Sequence, residues 1–429
     1  MKKKLFSLGI ACAVSVLALS GCKSKNAANE NNIVNISILN SKTEINEVLE
    51  DVMNDFMQEN KDIIIKLVKF SNTGNYADRL TGLIAVDNAP TLSLMDVADI
   101  KNYKDNFLSL SDEKWVDEVV GGISDIAKND KGEVIAFPLS TEGTGIIYNK
   151  KVLSDAGVNP DIIKTIKDLE DAFKKVKASG KDAIIIANED WALANHFLAT
   201  AYAADIDDSS VDATAYFEGL KSSSDAIPAN KKINGLIDVF DIMKKYNIYA
   251  DKPFLPSYDT CSKLLGSGKV GFWYGGNWAS GNILANSNGN SEFGFLPVPM
   301  SNNASDKMNR SIAIGITKYF SISSSASEKQ IEAAKRFLDY LVYHKNGNKF
   351  LVEDCGMIPA FSNMEIPKTD PLVNEIVKYR EADQTIELVN AYLPKNNQKE
   401  LGGALRQYLN NEITREQLIR IIKNFWKNS

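Results

Sequence analysis

From residue 33 onward the apolar positions switch repeatedly between two spacings. Residues 33–39 (IVNISIL) form a short apolar run that predicts a strand. Ile45, Val48, Leu49, Val52, Met53 and Phe56 then recur every three or four residues, the signature of one helix face. Residues 63–68 return to strand, completing a βαβ unit of the kind that builds parallel sheets with right-handed crossovers. Tyr76, Leu80, Leu83 and Ile84 predict a second helix and residues 91–95 a third strand. Asp130-Lys131-Gly132 predicts a turn ahead of a strand at 134–137.

After Pro138 the chain becomes rich in Gly, Ser and Thr (139–145), then reads as strand (146–149) and as a short helix ending at Gly157. Thr165 is placed to cap a helix carrying Ile166, Leu169, Phe173 and Val176, with Gly180 as its stop. A buried strand is expected at 183–187, helices from 191 to 246, and strands at 270–274 and 293–296. Residues 311–320 alternate as one long segment, and Ile331, Ala334, Phe337, Leu338, Leu341 and Val342 mark a strongly amphipathic helix. The C-terminus is helical, with Thr414 and Gln417 spaced as a capping box. Strands alternate with helices throughout, so the predicted class is α/β.

The first 32 residues follow neither period. Lys2, Lys3 and Lys4 precede an uncharged run of 15 residues, 5–19, too short to span a bilayer comfortably. The run closes on Leu19-Ser20-Gly21-Cys22, which resembles the lipobox of bacterial lipoproteins. That resemblance implies a signal peptide over 1–21, removed on export, and lipid on the thiol of Cys22. Two acyl chains anchor stably where one does not. Residues 22–32 then read as the lipidated Cys and a flexible polar tether. The expected location is the outer face of the cytoplasmic membrane, held there by lipid.

About 400 residues remain, more than one ordinary core accommodates, and two lobes are expected. Net charge is −6, becoming −9 once the three signal lysines are gone, and no basic cluster is visible. Nucleic acid is therefore not an expected partner. Of the four Cys, Cys12 falls in the signal and Cys22 in the lipobox. Cys261 and Cys355 are left either to pair or to remain separate thiols.

Four segments, in order, resemble the extracellular solute-binding proteins of family 1, the maltose-binding-protein-like sugar-binding lipoproteins of ABC transporters. They are 76–96, with Ala89-Pro90 before a strand ending in an acid; 138–157, PLSTEGTGIIYNKKVLSDAG; 265–278, LGSGKVGFWYGGNW; and 334–359. The resemblance covers residues 33–429. It implies a two-lobed, periplasmic-binding-protein-like fold of type II, with a hinge and a ligand cleft between the lobes. The N-terminal lobe is expected at 33–139 plus 313–364, the C-terminal lobe at 140–312 plus 365–429. Crossings are expected near Glu142, at 310–314 and at 356–361. A monomer is expected, capturing a small-molecule carbohydrate and delivering it to ABC permease subunits in the membrane.

A sugar offers one apolar C–H face and a rim of hydroxyls, so a site for it needs an aromatic platform and amides or carboxylates. Trp278, after Gly275-Gly276-Asn277 at a strand end, is the leading platform, and the family's tryptophan there stacks on sugar. Asn277 adds a hydroxyl partner. The resemblance assigns Glu142, four residues after Pro138, to the ligand, and Glu189 and Trp191 to a second contact. Asp96 ends the third strand, where α/β proteins hold ligands, and is equally placed to cap a helix. Asn40, Ser41, Tyr76 and Tyr274 complete the candidates. The stretch 401–405, LGGAL, lacks the late aromatic pair of maltose-binding protein, which argues against maltodextrin.

No catalytic residue, metal ligand or cofactor is expected. There are two His, and no Cys-x-x-Cys, His-Glu-x-x-His, Gly-x-Ser-x-Gly or phosphate loop. The chain is read as no enzyme. The alternatives are a polyamine or other small-solute binding protein of an ABC importer, or a surface glycosidase using carboxylates such as Asp96 and Glu142.

Overall fold

The computed structural model describes residues 33–68, 76–250, 256–366 and 368–429. The expected signal peptide, Cys22 and the tether lie outside the described residues. Among the described residues, twelve strands form two sheets. The first runs β2 (Ile63–Val68), β1 (Val34–Asn40), β3 (Leu92–Asp96), β10 (Lys318–Ile322) and β4 (Phe137–Pro138). β1 pairs in parallel with β2 and β3, as the βαβ pattern requires, while β10 is antiparallel to both of its neighbours.

Period-two alternation gives this sheet two dry faces. Ile36, Ile38, Leu92, Leu94, Phe320 and Ile322 pack under the helices Asn46–Glu59 and Glu328–Tyr343. Leu39, Met95 and Tyr319 point the other way, against Tyr76, Leu80 and Leu83 of the helix Tyr76–Ala85.

The second sheet runs β12 (Thr385–Glu387), β9 (Ile312–Ile316), β5 (Ser140–Asn149), β7 (Val270–Gly276) and β6 (Asp182–Ile185). β8 (Phe293–Leu296) and β11 (Ile358–Pro359) also pair with β5, the ten-residue strand that organises the layer. Ile146, Tyr148, Phe272 and Tyr274 face one core, with Phe173 and Val176 of the helix Ile166–Ala178. Ile147, Trp273 and Phe295 face another, with Leu372, Val373 and Ile376 of the helix Pro371–Glu381. Thr165 caps its helix through Asp168, and Thr414 and Gln417 form the expected capping box.

The chain passes between the sheets at adjacent points. β4 gives way to β5 at Leu139, and β9 to β10 at Thr317, with the Leu139 amide donating to the Lys318 carbonyl at 3.0 Å. The second crossing therefore falls later than 310–314. Residues 312–316 are still hydrogen-bonded in the second sheet, so what reads as one alternating segment is two strands in different sheets. The strand expected at 134–137 is reduced to Phe137–Pro138. Cys261 and Cys355 are both free.

Candidate ligand-binding site

Where β7 ends, Gly276 carries the chain into a single 3-10 turn, Asn277–Ala279. A Cβ on Gly276 would lie 2.1 Å from the Trp278 ring, so only glycine lets the indole fold back over the strand end. Asn277 is buried, and its Oδ1 accepts from the Gly143 amide at 2.9 Å, tying the turn to β5. Asn277 is thus a brace for Trp278.

A π-helix, Trp191–Leu198, meets this turn after β6. Such wide turns displace side chains from the regular helical register and recur at functional sites. The Trp191 ring lies 6.0 Å from that of Trp278. His196, from the same π-helix, packs its ring 5.2 Å from Trp278 and 5.5 Å from Trp191. Tyr258 opens the helix Tyr258–Gly266, with its ring 6.3 Å from Trp191 and its hydroxyl donating to the Trp278 carbonyl at 3.4 Å. Glu189 accepts from the Tyr258 amide at 3.3 Å, and so supports that ring. Trp278, Trp191, His196 and Tyr258 are all half-buried, whereas Trp115, Trp273 and Trp426 are core residues.

Charged residues from the first sheet and the crossings supply the adjoining wall. Asn40 accepts from the Lys42 amide at 2.8 Å and donates to the Lys42 carbonyl at 2.8 Å and to Asn46 at 2.9 Å. This turn presents Lys42, whose Nζ lies 2.9 Å from Glu142 and 3.0 Å from Glu44. Glu142 is 5% exposed and also accepts from the Thr317 hydroxyl. Burial opposes both charges, but Lys42 and Thr317 hold the Glu142 carboxyl below its usual range. The Glu142 and Glu44 carboxylates hold the Lys42 amine above its own. Lys318 donates to Asp96 at 2.6 Å and to Ser41 at 3.3 Å. Asp96 precedes the short helix Val97–Ile100 but makes no side-chain cap bond to it. Burial, and then the neighbouring Asp96, push the Asp99 carboxyl up to about 6.

The two walls adjoin where Gly143, the residue after Glu142, donates to Asn277 beside Trp278, and the charges of Glu142, Asp96, Lys318 and Lys42 act on the His196 ring. Burial, the largest influence, pulls the imidazole down to about 4 and keeps it neutral at physiological pH.

Of the residues singled out by sequence, Trp278 and Trp191 come together directly, with Glu189 and Asn277 behind them. Glu142, Asp96, Ser41 and Asn40 gather on the charged wall. Two fall elsewhere. Tyr274 is in the core of the second layer, with its ring 5.1 Å from Phe197 and its hydroxyl 3.3 Å from that of Thr200. Tyr76 is buried beneath the first sheet, with its hydroxyl donating to the Leu39 carbonyl at 3.4 Å. Sequence reasoning missed Lys42, Lys318, Asp99, His196 and Tyr258. The late stretch without aromatics also has a structural reason. A Cβ on Gly402 would lie 2.7 Å from Asp190, whose carboxylate pairs with Arg406 at 2.7 Å, so that helix packs flush against the entry to the π-helix.

Two lobes built on two sheets, with an aromatic and a charged wall, are the architecture of a solute-capturing protein. The model of the bacterial extracellular solute-binding protein family matches residues 51–375, and the chain belongs to that family. Among curated relatives, the melibiose/raffinose/stachyose-binding protein MelE of Bacillus subtilis is 22% identical over 82% of this chain and 80% of its own. The multiple sugar-binding protein of Streptococcus mutans is 22% identical over 86% of this chain and 85% of its own. Among solved structures, RafE in complex with raffinose superposes with a TM-score of 0.76 at 20% identity, covering 92% of this chain and 99% of RafE. A Bacillus licheniformis sugar transporter protein in complex with stachyose gives 0.70 at 21% identity, covering 92% and 100%. The fold is the two-lobed fold of these sugar-binding proteins.

Proposed function

We propose that this chain captures an oligosaccharide outside the cell and hands it to the permease of an ABC importer, and that it is not an enzyme. The observation that carries the reading is the cluster of four half-buried rings, Trp191, His196, Tyr258 and Trp278, beside a wall of hydrogen-bonding charges. Rings cover the C–H faces of pyranosides, and the polar wall meets their hydroxyls. MelE and RafE carry names or ligands of the raffinose type, which makes raffinose, stachyose and melibiose the first ligands to test.

The polyamine alternative is weakened by the state of the acids. Glu142 already holds Lys42 and Thr317, and Asp96 already holds Lys318, so neither offers a free charge to a cation. The same pairing occupies Asp96 and Glu142, the two carboxylates that a glycosidase reading would use. In the proposed mechanism a lobe built on the first sheet and one built on the second close by rotation at the Leu139 and Thr317 crossings. The ligand stabilises the closed form by its differential affinity. With the second crossing moved to Thr317, the lobe limits become 33–139 plus 317–364 and 140–316 plus 365–429.

The test is calorimetric titration and thermal unfolding of the exported chain with raffinose, stachyose, melibiose, maltose and spermidine. A ligand present at about one hundred times its Kd adds about 2.7 kcal/mol of stability. Binding of a sugar with no response to spermidine is expected. Response to spermidine alone would replace the carbohydrate reading with the polyamine one.

Lipid on Cys22 and residence as a monomer at the outer face of the membrane belong to the same proposal. Cys22→Ala is expected to release the protein from the membrane fraction into the medium. Membrane retention of that variant, read by immunoblot, would refute the anchor.

A further inference from the structure

Building on the carbohydrate reading, we propose that His196 is itself a sugar-contacting residue, donating from Nε2–H to a ligand hydroxyl, with Asn390 as the positioning residue that fixes its tautomer. His196 stands on the π-helix between the two indoles of the site, with ring centroids 5.2 Å from Trp278 and 5.5 Å from Trp191. A ligand stacked on either indole reaches the imidazole edge. The nitrogen Nδ1 lies 3.4 Å from Nδ2 of Asn390. With the Asn390 amide nitrogen facing the ring as donor, Nδ1 accepts and the single ring proton sits on Nε2. No hydrogen bond from Nε2 to the protein occurs among the described residues, and the ring is half-buried, so that proton is left for the ligand.

Asn390 is well placed to impose the tautomer. It is buried on the 3-10 turn Val389–Tyr392, which follows β12 of the second sheet. The turn is pinned from the first layer by Lys101, whose Nζ donates to the Ala391 carbonyl at 3.4 Å and the Leu393 carbonyl at 3.1 Å. The turn that carries the amide is thus held from both layers. Around the ring, Glu142 and Asp96 favour the imidazolium, Lys318 and Lys42 oppose it, and burial outweighs them all. A neutral donor suits an uncharged sugar, because it needs no counter-charge from the ligand.

The experiment is raffinose titration of the wild type, His196→Phe, His196→Gln and Asn390→Asp, with unfolding curves of each. Phenylalanine keeps the ring packing and removes the donor; glutamine restores an N–H at the reach of Nε2. His196→Phe should bind raffinose up to about tenfold more weakly, the worth of one hydrogen bond. His196→Gln should recover most of that loss. Wild-type affinity should be flat between about pH 5 and pH 8. Asn390→Asp should weaken it at the alkaline end of that range, where the carboxylate draws the single ring proton to Nδ1 and leaves Nε2 bare, and restore it as pH decreases and the ring becomes doubly protonated. Equal affinity of wild type and His196→Phe, or a Gln variant as weak as the Phe variant, would overturn the role of His196 while leaving the carbohydrate reading intact. A pH-independent Asn390→Asp would overturn the positioning role. A wild type that binds none of the sugars would overturn the carbohydrate reading and this inference with it.

Discussion

Lys42→Met should destabilise the protein by about 3–5 kcal/mol, the usual cost of stripping one partner from a buried ion pair. Both side chains are almost fully enclosed, at 4% and 6% exposure, and the Lys42 amine is the cation bonded to Glu142. Without it, the Glu142 carboxylate remains desolvated with the Thr317 hydroxyl as its hydrogen-bond donor. The pair joins the turn after β1 to β5 at the point where the chain passes between sheets, so the loss is felt in both layers. The double variant Lys42→Met/Glu142→Leu should recover much of the deficit, because replacing both partners by apolar groups removes the desolvation cost along with the attraction.

The pH signature follows from the shifts. The Glu142 carboxyl is held below its ordinary value, so its contribution is present above the unfolded pKa of about 4.3 and is lost as pH falls through the lower folded value. The Lys42 amine is held above its ordinary value, so its share is complete below about pH 10.4 and disappears only at more alkaline pH. Denaturant unfolding of the three proteins across the acid range checks all of this. A Lys42→Met midpoint equal to that of the wild type would show that the pair contributes no net stability.

That pair also marks the limit of what the chain discloses before folding. Alternation and three-to-four spacing located β1, β2, β3, β6, β7 and β8 and the helices Asn46–Glu59, Ile166–Ala178 and Glu328–Tyr343, because each depends on neighbours within a few residues, whereas the short β11 and β12 carry no such signal. Trp278 was legible because glycines and a strand end surround it locally, and Trp191 because it follows an apolar strand. Lys42 and Glu142 are separated by 100 positions, and Asp96 and Lys318 by 222, so nothing near any of them announces its partner. The same holds for residues 311–320. Their alternation is real, but which sheet each half joins is decided by β12 and β5 on one side of Thr317 and by β3 and β4 on the other. His196 escaped notice for a different reason. It stands on a π-helix, whose period is neither that of a strand nor that of an α-helix, so its direction cannot be read from spacing. Glu142 was singled out as a ligand contact, and in the structure its two oxygens are engaged by Lys42 and Thr317.

Trp278→Ala should weaken raffinose binding by about 2 kcal/mol or more, the threshold of a hot spot, which is roughly thirtyfold in Kd. The indole is held in place by structure independent of any ligand: Gly276 clears the space, Asn277 anchors the turn, and Trp191, His196 and Tyr258 border the ring. A rigid, half-exposed ring loses little entropy when a sugar covers it, so most of the contact energy survives as affinity. Truncation removes that surface and leaves the other rings free to collapse into the gap. Because the ring is only partly buried, the cost to folding should be smaller than at a core tryptophan.

Trp273 provides the internal control. It lies five residues earlier, on β7, is 1% exposed and packs in the core with Ile147 and Phe295. Trp273→Ala should cost about 3–5 kcal/mol of stability and affect sugar affinity only through that loss. The two variants therefore separate platform from packing: Trp278→Ala moves Kd with the smaller change in the unfolding midpoint, and Trp273→Ala moves the midpoint. Wild-type affinity in a folded Trp278→Ala protein would mean that the sugar does not lie on this ring, and would direct the search to Trp191 and Tyr258.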